Sequence, residues 1–453
     1  MDDSRLQTHP DSAWHAERAW LGGEKLARDV IIEARRGRIA SISEGSNRRD
    51  AIRLDGVVVP GLVNAHSHAF HRLLRGQTHR AGGDFWVWRD RMYEVAGSLT
   101  PESYELLATA VFVEMAMAGI TTVGEFHYIH HQPGGVPYSD ANEMGHAVIR
   151  AARTAGINIA LLDAGYFTAG FEDSRLHPVQ IRFRDRSPDT WLERVDSLRA
   201  SYGGHEDIVI GVAPHSVRAV PAPALAEVAR WHDRDTPMHI HVSEQPAENE
   251  ECLEATGLTP TGLLGAAGLL GPDTTLVHAT HLTDSDIIAI GSSGSRVCYC
   301  ATTERDLADG IGPARELAAA GATLCAGSDS HAVIDMFEEA RGIEMHTRLA
   351  TGRRGNFAPI ELMTSLTTNG AASLGFPSGG LQVGSPADFA VIDIDSPRLS
   401  GIQDATALDS IVFAASPADV SEVFVRGRRI VSNGRHEAWP ETKPVLERMA
   451  PGQ

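Results

Sequence analysis

The chain has 453 residues, of which 42% are hydrophobic and 22% charged, the balance of an ordinary globular protein. That length exceeds what one small core supports and suits a large domain plus a smaller one. The formal charge of −19 repels nucleic acid and acidic membrane surfaces on average, so neither is an expected partner.

The start, Met1-Asp-Asp-Ser-Arg, lacks a basic region followed by an apolar stretch. No apolar run is long enough to cross a bilayer, and the four cysteines, Cys252, Cys298, Cys300 and Cys325, show no disulfide-framework spacing. A cytoplasmic protein is expected. Arginine so outnumbers lysine that only Lys25 and Lys443 remain, an excess that composition bias explains.

Along the chain, residues 20–54 read as short strands and turns, with Asp29-Val-Ile-Ile-Glu and Gly37-Arg-Ile-Ala-Ser-Ile as clear runs. Eight β-like runs follow, at 57–68, 121–128, 157–166, 208–216, 238–244, 275–281, 296–303 and 322–330. They are rich in Val, Ile and Leu without strict alternation, as strands covered on both faces are. Helical patterns lie between them. Thr100-Pro101-Glu102 opens one with a capping residue and Pro at its first position, and Gly119 closes it. Others fall near 140–156, 221–233, 259–270, 283–290 and 313–321. Alternating β and α units in this number predict an α/β fold, a (β/α)8 barrel, over 59–379. The C-terminal runs, Ala387-Asp-Phe-Ala-Val-Ile-Asp and Glu422-Val-Phe-Val-Arg-Gly-Arg-Arg-Ile-Val, resemble the N-terminal ones in style. Neither end makes a stable sheet alone, so residues 1–58 and 380–453 are predicted to combine into one small β-sandwich.

In a barrel of this kind the reactive groups sit at the C-terminal ends of the strands. The first strand ends in His66-Ser-His68, whose i, i+2 spacing on a strand turns both imidazoles to one side. The fourth ends in Ala213-Pro-His215-Ser-Val-Arg218, and the fifth runs Met238-His-Ile-His241-Val-Ser-Glu244. The sixth ends in His278-Ala-Thr-His281, and the eighth in Ala326-Gly-Ser-Asp329. Any one of these has a bland alternative. His239 reads as a packed histidine, Cys298-Tyr-Cys300 as core, and His130-His131 as a loop pair. The joint pattern is specific, because five strands end in metal-competent or acid–base residues on the same side of the barrel.

Pro60-Gly-Leu-Val-Asn-Ala-His66-Ser-His68, His241-Val-Ser-Glu244, His278 and Gly327-Ser-Asp329 together resemble the amidohydrolase superfamily, over nearly the whole chain. That resemblance implies one divalent metal held by His66, His68, His241 and Asp329, with Zn2+ expected and Fe2+ as the alternative. Two-metal members usually bridge their ions through a carboxylated lysine on the fourth strand. The predicted barrel contains no lysine and offers His215 there, which implies the single-metal deaminase branch. His-x-x-Glu on the fifth strand agrees. By the same resemblance Asp329 accepts the proton of an attacking water, Glu244 passes a proton to the leaving nitrogen, and His278 orients the developing tetrahedral centre.

Nucleobase deaminases of this superfamily carry neutral groups after strand four, where this chain has Arg218. Further basic and polar groups fall on the early segments Ala69-Phe-His71-Arg72, Trp86-Val-Trp-Arg89-Asp-Arg91-Met-Tyr93 and Glu125-Phe-His-Tyr128, read as loops. Arginine clamps a carboxylate through paired hydrogen bonds, so an anionic substrate is expected despite the acidic chain. These segments are similar to the formimidoylglutamate deiminases of histidine degradation. That likeness implies a small substrate with two carboxylates, contacts from Arg89, Arg218, His215, Tyr128 and His71, and a homodimer. The family often shows Gln where His71 stands. Two alternatives remain open: a deaminase of a purine or pterin-like heterocycle, and a barrel that binds a small acid without catalysis.

Overall fold

The computed structural model describes residues 11–46, 48–79, 85–171, 175–233, 235–377 and 379–450. The opening segment beginning at Met1, the last three residues and the side chains of Phe85, Trp86 and Val87 lie outside the described residues.

Sixteen strands among the described residues form two eight-stranded sheets. The barrel sheet takes β5 (Leu62–Ser67), β6 (Ile120–His127), β7 (Asn158–Gly165), β8 (Ile208–Pro214), β9 (Met238–Val242), β10 (Thr274–His278), β11 (Arg296–Tyr299) and β12 (Thr323–Ala326). Their order in the sheet is their order in the chain, and their pairings are parallel. A parallel bridge between Ser67 and Asp329 joins the last strand to the first. Every residue of β5, β6 and β7 is buried, which is why these strands read as continuous apolar runs. Small side chains, Ala65, Val277, Cys298, Cys300 and Cys325, fill the barrel interior. The Cys-Tyr-Cys run is thus core, as its sequence suggested.

The second sheet is built from both chain ends. Four of its strands come from the N-terminal part: β1 (Ser12–Ala19), β2 (Ala27–Arg35), β3 (Arg38–Ser43) and β4 (Ile52–Pro60). The C-terminal part adds β13 (Phe389–Ile392), β14 (Val420–Val425), β15 (Arg428–Ser432) and β16 (Arg435–His436). Parallel pairing of β1 with β4 and antiparallel pairing of β4 with β13 knit the ends into one continuous sheet. Its core centres on Trp14, Phe389 and Phe424, with ring centroids 4.5 to 5.5 Å apart.

The predicted first strand, 57–68, is two strands in different sheets. The Gly61 N–H still bonds Asp388 O in the small sheet at 3.0 Å, while the Leu62 N–H bonds Gly119 O in the barrel at 3.0 Å. A Cβ at Gly61 would stand 2.1 Å from Thr121 Oγ1, so only glycine lets the chain cross between the sheets here. A continuous apolar run conceals this handover. A second correction concerns 86–93, which is not a loop: it lies on the helix Phe85–Ser98 over the barrel mouth. The helix Pro101–Met117 begins as expected, with the Thr100 side chain accepting the Ser103 N–H and Pro101 at the first turn.

Candidate metal and catalytic site

Backbone strain aims the side chains at the barrel mouth. Ser243, His278, Ala279 and Asp329 have φ of 52°, 70°, 51° and 41°, a left-handed region that non-glycine residues seldom enter. All lie at the ends of β9, β10 or β12, where such strain commonly marks functional positions. Glycine has the opposite task at 327. A Cβ there would come 2.6 Å from His66 Cβ and 2.7 Å from the His66 backbone N and O. Close approach of β12 to β5 thus depends on Gly327. It allows the Asp329 N–H to bond His66 O at 3.0 Å and the His68 N–H to bond Asp329 O at 3.2 Å.

Four donors converge. One ligand atom each from His66, His68, His241 and Asp329 lies within 4.8 Å of the others, and all four residues are buried. His66 Nε2 and His68 Nε2 are each 3.3 Å from Asp329 Oδ1, and His66 Nε2 is 3.2 Å from His241 Nε2. Two tautomers follow from the neighbours. His68 Nδ1 is 2.9 Å from Phe126 O and His241 Nδ1 is 2.9 Å from His215 O. A carbonyl only accepts, so both Nδ1 atoms carry hydrogen and both Nε2 atoms present lone pairs inward. Burial lowers the pKa of all three imidazoles and keeps them neutral. Burial alone would raise the Asp329 carboxyl, but its contact with His66 and the charge of the nearby His278 hold it well below the usual range. Buried lone pairs facing an ionised carboxylate repel unless a cation lies among them. Three imidazoles and one carboxylate match the ligands a Zn2+-like ion takes, so these residues fit the group.

Glu125 on β6 supports the His66–His68 turn from beneath. It is wholly buried and accepts the Ser67 hydroxyl, the Ala69 N–H at 2.6 Å and the Tyr104 hydroxyl at 3.3 Å. Ser67 also reaches His331 Nε2 at 3.1 Å, and His331 Nδ1 reaches Ser328 Oγ at 2.9 Å. This chain of contacts ties β6, β5 and the segment after β12 under the donor cluster.

Beside the cluster, His278 stands between two carboxylates, 3.8 Å from Glu244 Oε1 through Nε2 and 3.5 Å from Glu304 Oε1 through Nδ1. Burial opposes its protonation, but Glu244, Glu304 and Asp329 outweigh it and push its pKa up to about 10. Behind Glu244, burial and that neighbouring carboxylate push the Asp309 carboxyl up to about 9.

A cavity of about 100 Å3 opens beside these groups, and Arg89, Tyr128, His215, Arg218 and His71 all line it. His71 Nε2 and the Tyr128 hydroxyl pair at 2.8 Å. His215 has a second task, since its carbonyl accepts the His241 N–H at 3.1 Å as well as facing Nδ1. Arg218 Nε lies 3.9 Å from Glu248 Oε2, a carboxylate whose side chain is only 1% exposed. Every site residue expected from sequence is thus brought to one mouth.

Several residues there were not expected. Tyr166, Phe183, Met92 and Tyr93 also line the cavity, and Glu125, Glu248, Glu304 and Asp309 stand behind it. His130 and His131 are a loop pair after β6, as expected, and are buried: His130 Nε2 meets Ala164 O at 2.8 Å, and His131 Nε2 lies 3.4 Å from Asp185. His239 is a packed histidine, buried with Nε2 2.9 Å from Ser373 O.

Comparison with known proteins agrees with this arrangement. The model of the amidohydrolase family matches residues 57–430. The formimidoylglutamate deiminase of Pseudomonas aeruginosa is 38% identical over 439 residues, covering 94% of this chain and 96% of that protein. The 8-oxoguanine deaminase of the same organism is 33% identical over 392 residues, covering 84% and 83%. A crystal structure of an amidohydrolase from Brucella melitensis superimposes with a TM-score of 0.91 at 35% identity, covering 97% and 99%. The chain therefore belongs to the amidohydrolase family and is a hydrolase acting on C–N bonds.

Proposed function

We propose that the protein hydrolyses N-formimino-L-glutamate to N-formyl-L-glutamate and ammonia. The observation that carries this reading is a single cavity lined by both acid–base groups and guanidinium groups. Glu244, His278 and Asp329 line it together with Arg89 and Arg218. A substrate with a C=N carbon and carboxylates along one short chain matches that combination of groups. The 38% identity to a formimidoylglutamate deiminase supports it independently.

His66, His68, His241 and Asp329 would hold one divalent metal, Zn2+ or alternatively Fe2+. When bound, such an ion lowers the pKa of a coordinated water to about 7. The remaining chemistry belongs to side chains. Asp329 accepts the proton lost as water adds to the C=N carbon. Glu244 carries protons to the substrate nitrogen, one as water adds across the C=N bond and a second, released by the tetrahedral hydroxyl as it becomes the formyl C=O, as the C–N bond breaks and ammonia leaves. His278, set between Glu244 and Glu304, donates a hydrogen bond to the developing tetrahedral centre. Arg89, Arg218, His215, Tyr128 and His71 bind the rest of the substrate. We further propose a cytoplasmic homodimer, to be checked by sedimentation.

The test is an ammonia-release screen with Zn2+-loaded protein on formimino acids and on guanine, 8-oxoguanine and adenosine. Turnover of formiminoglutamate alone is expected. Turnover of a heterocycle in its place overturns the substrate assignment in favour of the second reading, a heterocycle deaminase, which the 33% identity to an 8-oxoguanine deaminase favours.

A further inference from the structure

Tyr166 follows β7 directly at the cavity wall. Its hydroxyl is 2.6 Å from Gln180 Nε2, and both residues are buried. An amide side chain can be turned either way, so its orientation needs evidence. The His177 backbone N–H supplies it, because that group only donates and lies 2.7 Å from Gln180 Oε1. Nε2 therefore faces Tyr166 and donates to the hydroxyl oxygen. The phenolic hydrogen, for which no acceptor is seen among the described residues, is left to point elsewhere.

Arg218 is fixed next to it. The Phe167 N–H bonds Ala219 O at 2.8 Å, and the Thr168 hydroxyl bonds Arg218 O at 2.8 Å. These bonds join the loop after β7 to the segment carrying Arg218. Gln180 is anchored as firmly: its short helix, Gln180–Arg182, is pinned through the Arg182 guanidinium to Leu99 O at 2.7 Å and His131 O at 2.8 Å. Burial raises the Tyr166 pKa, although Arg218 and Arg89 act to lower it, so the phenol keeps its hydrogen at neutral pH.

We propose that Tyr166, oriented by Gln180, is a carboxylate-binding donor that shares one substrate carboxylate with Arg218 and so sets specificity for that group. This rests on the proposed dicarboxylate substrate. Gln180 takes up an acceptor position of the hydroxyl and leaves its hydrogen to donate, which suits an anion.

Kinetics on N-formimino-L-glutamate and its two monoamides test this with Tyr166→Phe. Loss of one hydrogen bond to a charged group corresponds to about a tenfold change. KM for the diacid is expected to rise about tenfold with kcat within about twofold. That penalty should persist with one monoamide and vanish with the other. An unchanged KM, a fall confined to kcat, or an equal penalty on all three substrates overturns the proposal. Gln180→Glu places an acceptor against the hydroxyl and should reproduce the Phe variant, whereas Gln180→Met leaves the donor in place and should cost less. Met costing as much as Glu would mean that Gln180 acts only in packing. If the wild type turns over no formimino acid, the proposed function fails. Tyr166 is then tested by calorimetry with glutarate on the Zn2+-loaded protein: about tenfold weaker binding by the Phe variant upholds the donor, and equal or absent binding overturns it.

Discussion

Replacing Glu125 by Ala should weaken metal binding from outside the ligand set. Glu125 accepts three hydrogen bonds, and two of the donors, the Ala69 N–H and the Tyr104 hydroxyl, have no other acceptor among the described residues. Ser67 keeps His331 as an alternative partner. An orphaned buried donor costs about 1–3 kcal/mol. Two of them, partly relieved by water entering the space, give a loss of about 2–5 kcal/mol in stability. The metal should be felt separately, because Ser67 sits between His66 and His68. Removing a group that orients ligands typically costs 10–100-fold in metal affinity. Glu125→Gln, which keeps a carbonyl acceptor in the same volume, should lose less of both. The assays are urea unfolding of the metal-free protein and competition for Zn2+ against a chromophoric chelator. If the Ala variant is destabilised yet binds Zn2+ within about threefold of wild type, the coupling of Glu125 to the ligand turn is refuted.

Glu244→Gln should retain a full equivalent of metal while ammonia release falls by about 10²–10⁴-fold; metal loss in that variant would put Glu244 in the wrong role. Gly327→Ala forces a methyl group onto the His66 backbone, so metal content, read by elemental analysis, should drop with the loss of β5–β12 contact; a fully loaded variant would contradict the packing. Asp335 caps the helix Met336–Thr351, accepting the Glu338 N–H, and burial pushes its carboxyl up to about 6. Its folded pKa lies above the unfolded value of about 3.9, so the native state binds the proton more tightly. Stability therefore falls as pH rises through that interval, and the penalty is complete above about pH 6. Asp335→Asn keeps a capping acceptor without the charge, and should gain about 1–3 kcal/mol at pH 7 and flatten the slope between pH 4 and 6. Parallel stability curves for the two proteins would refute this.

Sequence carried the barrel and its mouth because both rest on local signals. Fully buried parallel strands leave unbroken apolar runs, and His66-Ser-His68, His241-Val-Ser-Glu244 and Gly327-Ser-Asp329 stand at their ends. What was hidden is non-local. The crossing at Gly61 interrupts no apolar pattern, because both flanking strands are buried in their own sheets. The helix Phe85–Ser98 has little amphipathic contrast, since it rests on the mouth and contributes polar and aromatic groups to a cavity. Glu125 and Glu304 are single carboxylates whose partners, Ser67 and His278, lie distant in the chain; only the closed barrel shows them adjacent. Tyr166 could have been suspected, since it follows β7 at the functional end of the barrel, but its donor character comes from Gln180, which no strand pattern marks.

The ring of eight strands closes where β12 meets β5, and three of the four donors straddle that seam, with His241 on β9 facing them from across the barrel. His66 and His68 stand on one lip and Asp329 on the other. A metal held there would work as a clasp on the closed barrel, and chain synthesis would offer no complete site until the eighth strand had emerged and docked. Metal content would then measure how many molecules have finished folding. In metal-free protein, amide hydrogen exchange should be fastest along that seam and should slow on loading both there and at the end of β9, which carries His241.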